Sequence, residues 1–377
     1  MVGVSLALAL APAAVRVGLI EAVPAPVLRE PHYDDRATAL SAGSQRILAT
    51  LGVWERVAAA AAPIQRVHIS EQGRMGVAWL EAEELALEAL GWVIENPRLV
   101  AAFQAALAGS GAVLFQPAKV VHIEPDDDGV TVQLEQDGQQ MTVRTRLLVG
   151  ADGARSMVRE AIGVGASHHD YGQTAIVANL TPEQDHKGVA YERFTKDGPL
   201  AFLPLSEKRC AIVWSVPSAA VEHVLGLPDN AFCERINQLF GERLGPIMRL
   251  GQRQTWPLRR TLSDAQRRGR VVLVGNAAHS LHPIAGQGFN LSLRDVMALA
   301  ETVASGIDDH ALSDWERGRR ADQQRVSGFT DKLNSLFLLD LPLVGSLRGA
   351  GIGAFGLAGP ARRLIARYGA GLGVPLR

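Results

Sequence analysis

At 377 residues the chain can bury one large core or two linked ones, and a two-domain α/β protein is the ordinary outcome at that size. A formal net charge of −1, with no basic block carrying interleaved aromatics, gives no footing for nucleic acid. Cys210 and Cys233 are the only cysteines, too few for a disulfide framework or a zinc site, so a reducing cytoplasm is the natural compartment.

Residues 1–20 are apolar, but Pro12 and Arg16 interrupt the run and no cationic segment precedes it. A signal peptide or spanning helix is therefore not expected. Val4 to Ala11 reads as a small-residue helix and Val15 to Ile20 as a strand ending at Glu21. These are the second and third elements of a β-α-β unit, in which an acid closing the second strand bonds the adenosine ribose. The Gly3 to Glu21 spacing fits the usual separation of about 20 residues. The first strand and first glycines of that fingerprint are expected before Gly3. A start codon called too late is preferred to a truncated chain, because the lost strand would be central in the sheet.

Tyr33 to Leu40 leads into a helix reaching Leu51. On charge pattern alone, Asp34 and Arg36 read as a solvated turn with an acidic cap. Val67–Ser70 and Val77–Leu80 are short strands that open a second sheet, with His68 a strand residue. Glu95-Asn96-Pro97-Arg98 starts a helix with proline in its first turn. Residues 113–149 form a three-stranded meander, and Asp126-Asp127-Asp128 is a hairpin turn without the other ligands of a calcium loop. Leu147 to Arg159 is a strand, an Asp152-Gly153 turn and a helix start.

Strands then follow at Ala175–Asn179, Val189–Phe194, Leu200–Pro204 and Cys210–Val216, as suits a sheet with one face on a core and the other on a cavity. Arg270 to Gly275 is a β-branched run fit for a strand buried on both faces. Its loop carries Asn276, His279, His282 and Pro283 and closes on Gly286-Gln287-Gly288, ahead of a helix from Phe289 to Val303. Asn290 and Ser292 lie in that helix's first turn, whose free N–H groups and positive dipole end point back into the loop. Two glycines let a flat or anionic ligand approach the backbone. Residues 311–335 form a charged amphipathic helix, and beyond Asp340 every charged residue is an arginine. That basic tail reads equally as a membrane-surface or partner-docking element and as a packed helix pair.

The string HPIAGQGFNLSLRD resembles the third FAD-binding motif of the flavoprotein aromatic hydroxylases, the para-hydroxybenzoate hydroxylase-like superfamily, and within it the ubiquinone-biosynthesis branch. Ala151, Asp152, Gly153, Ser156 and Arg159 match the family's second motif, and Asp34 with Arg36 its Asp-x-Arg motif. ERFTKDGPLAFLPL and GNAAHSLHPIAGQGFNLSLRDVMALAETV look closest to the branch's 2-octaprenyl-6-methoxyphenol hydroxylases. Asn276 departs from the usual aspartate, though an amide makes the same hydrogen bond.

The resemblance implies a Rossmann-like α/β FAD-binding domain (1–66, 92–172 and 257–335), its first strand missing, with an inserted mixed or antiparallel β-sheet substrate domain (67–91 and 173–256) and a helical, membrane-facing C-terminus (336–377). It implies that FAD is held by Gly3, Glu21, Arg36, Arg98, Asp152, Gly153, Asn276, Pro283, Gly286, Gln287, Gly288 and Asn290, with substrate near Pro199 and Phe202. The flavin carries the chemistry, so no catalytic side chain or metal is expected: NAD(P)H reduces it, O2 adds, and a flavin hydroperoxide hydroxylates a polyprenylated phenol. His279 and His282 are expected to pack beside proline and bond backbone carbonyls. The implied setting is cytoplasmic, at the inner face of the membrane, within a ubiquinone-biosynthesis complex. Two other readings stay open: a flavin hydroxylase of a soluble aromatic acid or polyketide, and a non-catalytic subunit of a biosynthetic assembly.

Overall fold

Alternating and continuous apolar runs separate into two sets of sheets in the computed structural model, which describes residues 1–25, 27–280, 287–338 and 358–372. The larger sheet has nine strands. Its path runs β20 (His279–Ser280), β17 (Gln254–Ser263), β12 (Ala166–Pro182), β15 (Cys210–Pro217), β14 (Pro199–Pro204), β13 (Val189–Phe194), β4 (Arg66–Glu71) and β5 (Val77–Glu81), with β16 (Ile247–Leu250) beside β12. All its pairings are antiparallel except β13 with β4, which makes the sheet mixed.

Side chains alternate across these strands with a period of two, so each face has its own composition. Tyr191, Leu200, Phe202, Ile212 and Trp214 face α6 (Asp229–Phe240) and bury its Phe232, Ile236 and Phe240. The other face presents Ala190, Leu203 and Ala211, which pack on Ile64, Val93, Ala37 and Ala39 of the second unit.

That second unit holds three small sheets: β2 (Ala37–Ser41), β6 (Gly91–Glu95) and β3 (Ala62–Ile64); β1 (Gly18–Ile20) parallel to β7 (Val113–Phe115); and β11 (Leu148–Gly150), β19 (Val271–Leu273) and β18 (Arg267–Arg268). The β1–β7 pair and the β11–β19 pair do not hydrogen-bond to each other, yet Ile20 and Phe115 share a core with Leu148, Val271 and Leu273. The expected meander is β8 (Lys119–Pro125), β9 (Val130–Gln136) and β10 (Gln139–Thr145). Helices α1 (Val2–Leu10), α2 (Ala42–Thr50) and α3 (Asn96–Leu107) pack with α7 (Gln287–Ser305). The remaining helices are α4 (Met157–Ala161), α5 (Val221–Leu225), α8 (Asp309–Leu338) and α9 (Gly359–Gly369).

The boundaries expected at 172/173 and 256/257 fall inside β12 and β17, which pair from Ala166 with Ser263 to Val177 with Gln254. These two strands continue from one unit into the other as one ribbon. At the C-terminus, α9 packs rather than standing clear: Ala366 joins Leu80 and Leu90, the Ala370 carbonyl accepts from Gly43, and Arg362 pairs with Glu84. No described helix is long and apolar enough to cross a membrane.

Candidate functional site

Strand β19 is wholly buried, as its β-branched run requires, and ends in a tight turn at Gly275–Ala277. Asn276 is exposed between buried Gly275 and buried Ala277, so the turn pushes this one amide out of the core. A second loop lies alongside, because β11 pairs with β19 and the Val274 N–H donates to the Gly150 carbonyl at 3.0 Å. Buried Arg159 fastens the two loops, donating to the Ala277 carbonyl at 2.9 Å and the Ala154 carbonyl at 3.1 Å. In the second loop the Asp152 carboxylate accepts from the Ser156 hydroxyl at 2.5 Å and the Val158 N–H at 3.0 Å, and so caps α4. Gly153 takes φ +88°, a left-handed value, and a side chain there would point into open space.

Helix α7 supplies the third wall. A Cβ at Gly288 in its first turn would likewise meet no described residue within 4 Å. Asn290 anchors this helix end across the fold: its Oδ1 accepts from the Ser41 N–H at 2.9 Å and its Nδ2 donates to the Ala39 carbonyl at 3.1 Å. Gly3, at the start of α1, sits between Leu19 and Ala151. Glu21, just past β1, is exposed and accepts from the Val23 N–H at 2.9 Å. Gly3, Gly153, Asn276 and Gly288 thus gather around the meeting point of β11, β19 and α7. The helix N-terminus, the backbone at two glycines and the outward amide suit a flat group bearing negative charge.

Other expected site residues stand elsewhere. The Arg36 guanidinium lies 4.6 Å over the ring of Trp256, which is 46% exposed, while Asp34 accepts from the Gln252 N–H at 2.6 Å. Arg98 points into a cleft of about 300 Å³ lined also by Tyr33, Glu95, Arg209 and Arg249, and it pairs with Glu95 at 3.4 Å. Phe202 stacks on Phe240 with ring centroids 4.0 Å apart, on the α6 side of the sheet. Alternation turns Ala201 and Leu203, not Phe202, toward the second unit. Pro199 is buried at the head of the same strand. Gln287 begins α7, whereas Pro283, Gly286 and His282 lie outside the described residues.

His279 differs from expectation in its partner. It is 1% exposed and its Nε2 is 2.5 Å from the Asp295 carboxylate of α7, not from a carbonyl. Asp295 also accepts from Arg319 at 2.6 Å and Gln323 at 3.1 Å, and Asp322 links Arg319 to Arg294. Burial would raise the Asp295 carboxyl, but the charge and hydrogen bond of His279 and then those of Arg319 outweigh it and hold it below its ordinary value. This network joins α8 to the turn bearing Asn276. Sequence reading missed Asp295 and Arg319, since nothing local pairs residues from three elements.

It also missed Glu192. This residue of β13 has no hydrogen-bond or ion-pair partner among the described residues, and burial pushes its carboxyl up to about 7. By contrast, His68 lies on the α6 face beside Trp79 and Tyr191; burial, then Arg243 and Arg193, pull it down to about 4, so it stays neutral in the core.

A nucleotide-type cradle at strand ends, capped by a helix N-terminus and joined to a mixed sheet, defines a flavoprotein of the two-unit hydroxylase class. A family described as "FAD binding domain" matches residues 1–326. The chain is 38% identical to the ubiquinone hydroxylase UbiL of Rhodospirillum rubrum, covering 98% of this chain and 87% of that protein. It is 33% identical to 3-demethoxyubiquinol 3-hydroxylase of Escherichia coli, covering 99% and 96%. Its fold matches the crystal structure of p-nitrophenol 4-monooxygenase PnpA from Pseudomonas putida at a TM-score of 0.81 and 21% identity, over 99% of this chain and 95% of that one. The chain belongs to the FAD-dependent hydroxylase family of ubiquinone biosynthesis, and FAD is its cofactor.

Proposed function

We propose that this flavoprotein hydroxylates the ring of a polyprenylated phenol in ubiquinone biosynthesis, taking reducing equivalents from NAD(P)H and the oxygen atom from O2. The observation that carries this reading is the near full-length similarity to two ubiquinone-pathway hydroxylases. Bound FAD supplies the redox chemistry, accepting hydride and activating oxygen. The chain's part is placement. The α7 N-terminus, with Gln287 and Gly288 in its first turn, would meet the negative charge of the reduced ring system. Asn276 would bond the ribityl chain and Glu21 the ribose, with Gly153 giving close backbone approach and Gly3 letting α1 pack close on Leu19 and Ala151. Asp152 caps α4 and so fixes the Gly153 loop, and Asn290 fixes the helix end against β2. Arg36 and Arg98 would bind the pyrophosphate and ribityl edges after leaving Trp256 and Glu95, a rearrangement that FAD binding must induce.

The substrate would lie near Pro199 and beside Ala201, on the sheet face turned away from α6 and short of Leu203, which packs on the second unit. Exposed Arg363, Leu364 and Arg367 on α9 would let the protein dock at the inner membrane surface or on a biosynthetic complex. The FAD-loaded protein is to be assayed for NAD(P)H oxidation and for a product carrying one added oxygen atom. A short-chain polyprenylphenol should stimulate both. Stimulation by a soluble aromatic acid and not by the prenylphenol would transfer the assignment to the soluble-substrate branch.

A further inference from the structure

Glu192 stands on a strand whose two faces have opposite duties. Tyr191 and Arg193, its neighbours in sequence, turn toward α6: Tyr191 joins the aromatic core, and Arg193 donates to the Leu239 carbonyl at 2.6 Å and to the Ser70 hydroxyl at 3.1 Å. Alternation therefore turns Glu192 the other way, onto the face where Ala190 packs on Ala37 and Ala39. Those two alanines belong to β2, the strand whose backbone is bonded by Asn290 at the head of α7. Glu192 thus lies on the surface that confronts the cofactor end of the molecule.

Its surroundings are apolar. Its cross-strand neighbours are Ala201 on β14 and Ile69 on β4, and Ile69 packs with Leu80, Leu87 and Ile365. The side chain retains partial exposure although protein surrounds it. A carboxyl so placed, with no partner among the described residues, is costly to a fold unless something polar meets it in use.

We propose that Glu192 receives the hydroxyl of the bound phenol and takes its proton as the ring is hydroxylated. This rests on the phenol-hydroxylase reading above. The phenolic O–H bond breaks and a carboxyl O–H bond forms. The electron pair left on the ring oxygen raises electron density at the ortho and para carbons, where an electrophilic oxygen attacks. The proton returns to water when product leaves. The group is suited to this exchange: burial alone holds its carboxyl at about 7, so a small change in its surroundings moves the proton either way. A phenolate and a carboxylate side by side repel, so the pair shares one proton until one of them reacts.

The experiment compares the FAD-loaded wild-type protein with Glu192→Gln and Glu192→Asp, using prenylphenol turnover and binding of a chromogenic nitrophenol whose colour reports its ionisation. Proton-transfer groups contribute roughly 10²- to 10⁴-fold, so turnover in Glu192→Gln should fall about 10²-fold while flavin stays bound, and Glu192→Asp should recover part of it. In the wild type the carboxylate should delay ionisation of bound nitrophenol to higher pH, and Glu192→Gln should remove that delay. Equal turnover in wild type and Glu192→Gln, or identical probe titrations, overturns the assignment. So does loss of flavin from Glu192→Gln, which would make the residue structural. A wild type that binds and delays the probe but ignores prenylphenol would sink the substrate reading and leave the role of Glu192 standing.

Discussion

Replacing Asp295 with alanine is expected to destabilise the protein by about 3 kcal/mol, at the lower end of the roughly 3–5 kcal/mol cost of breaking a buried ion pair. The carboxylate is 1% exposed and receives His279, Arg319 and Gln323. Truncation strands these donors in a dry interior, where an unmet polar group costs about 1–3 kcal/mol. The lower end applies because Arg319 keeps Asp322 as a partner. Asp295→Asn should cost less, since an amide oxygen still accepts one donor. Urea unfolding followed by tryptophan fluorescence, on flavin-free and FAD-saturated protein, measures both. The sign with pH follows from the lowered carboxyl: the stabilisation is complete above the unfolded value of 3.8 and is lost only as pH falls through the lower folded value. An alanine variant within about 1 kcal/mol of wild type at neutral pH, below any buried-pair cost, refutes the network as a structural tie. So does a difference that fades well above pH 3.8. Weakened FAD affinity should accompany the loss, because His279 opens β20 three residues beyond Asn276.

Two further substitutions separate the faces of the large sheet. Phe202→Ala empties a site stacked on Phe240 and should cost roughly 3–5 kcal/mol in urea unfolding, with bound-flavin absorbance unchanged in the folded protein; flavin loss without destabilisation contradicts the placement. Glu192→Gln should stabilise the protein increasingly as pH rises, because the native state holds its proton to about 7 against an ordinary 4.5. The gain is near zero below 4.5, grows between 4.5 and 7, and levels off above; a shift of about 2.5 pH units sets a ceiling of ~3 kcal/mol, reduced by the side chain's partial exposure. A gain independent of pH counts against a buried, unpartnered carboxyl.

What the sequence disclosed was whatever is encoded locally. The buried run Val271–Val274, the glycines after it and the helix beyond are consecutive, so strand, turn and helix N-terminus were legible together. Asp152-Gly153 was likewise legible as a strand-to-helix corner, although the direction of the Asp152 carboxylate, into α4, depends on cap geometry. The side-chain partners were not legible. His279 chooses Asp295 because one turn of α7 passes beneath it, and Arg36 lies on Trp256 because β17 runs alongside. The expected domain boundaries fall within β12 and β17 for a related reason: alternation identifies strands but does not say where one sheet hands them to the next unit.

Phe202 and Glu192 show how much one residue of register decides. Both belong to ERFTKDGPLAFLPL, one of the two stretches that resemble the hydroxylases of that branch, yet from sequence only Phe202 of the two is placed near the substrate. The pairing of Tyr191 with Phe202, and of Glu192 with Ala201, sends the aromatic pair into the α6 core and the carboxyl with its small neighbour toward the cofactor side. Inverting that register would move Arg193 off the Leu239 carbonyl, bury a carboxyl among the aromatics that face α6, and turn two rings toward the second unit. Register is strongly fixed where the two faces differ this much. The same alternation that stabilises the sheet therefore also decides that Glu192, beside small Ala201, and not Phe202 is the side chain the proposed phenol would meet.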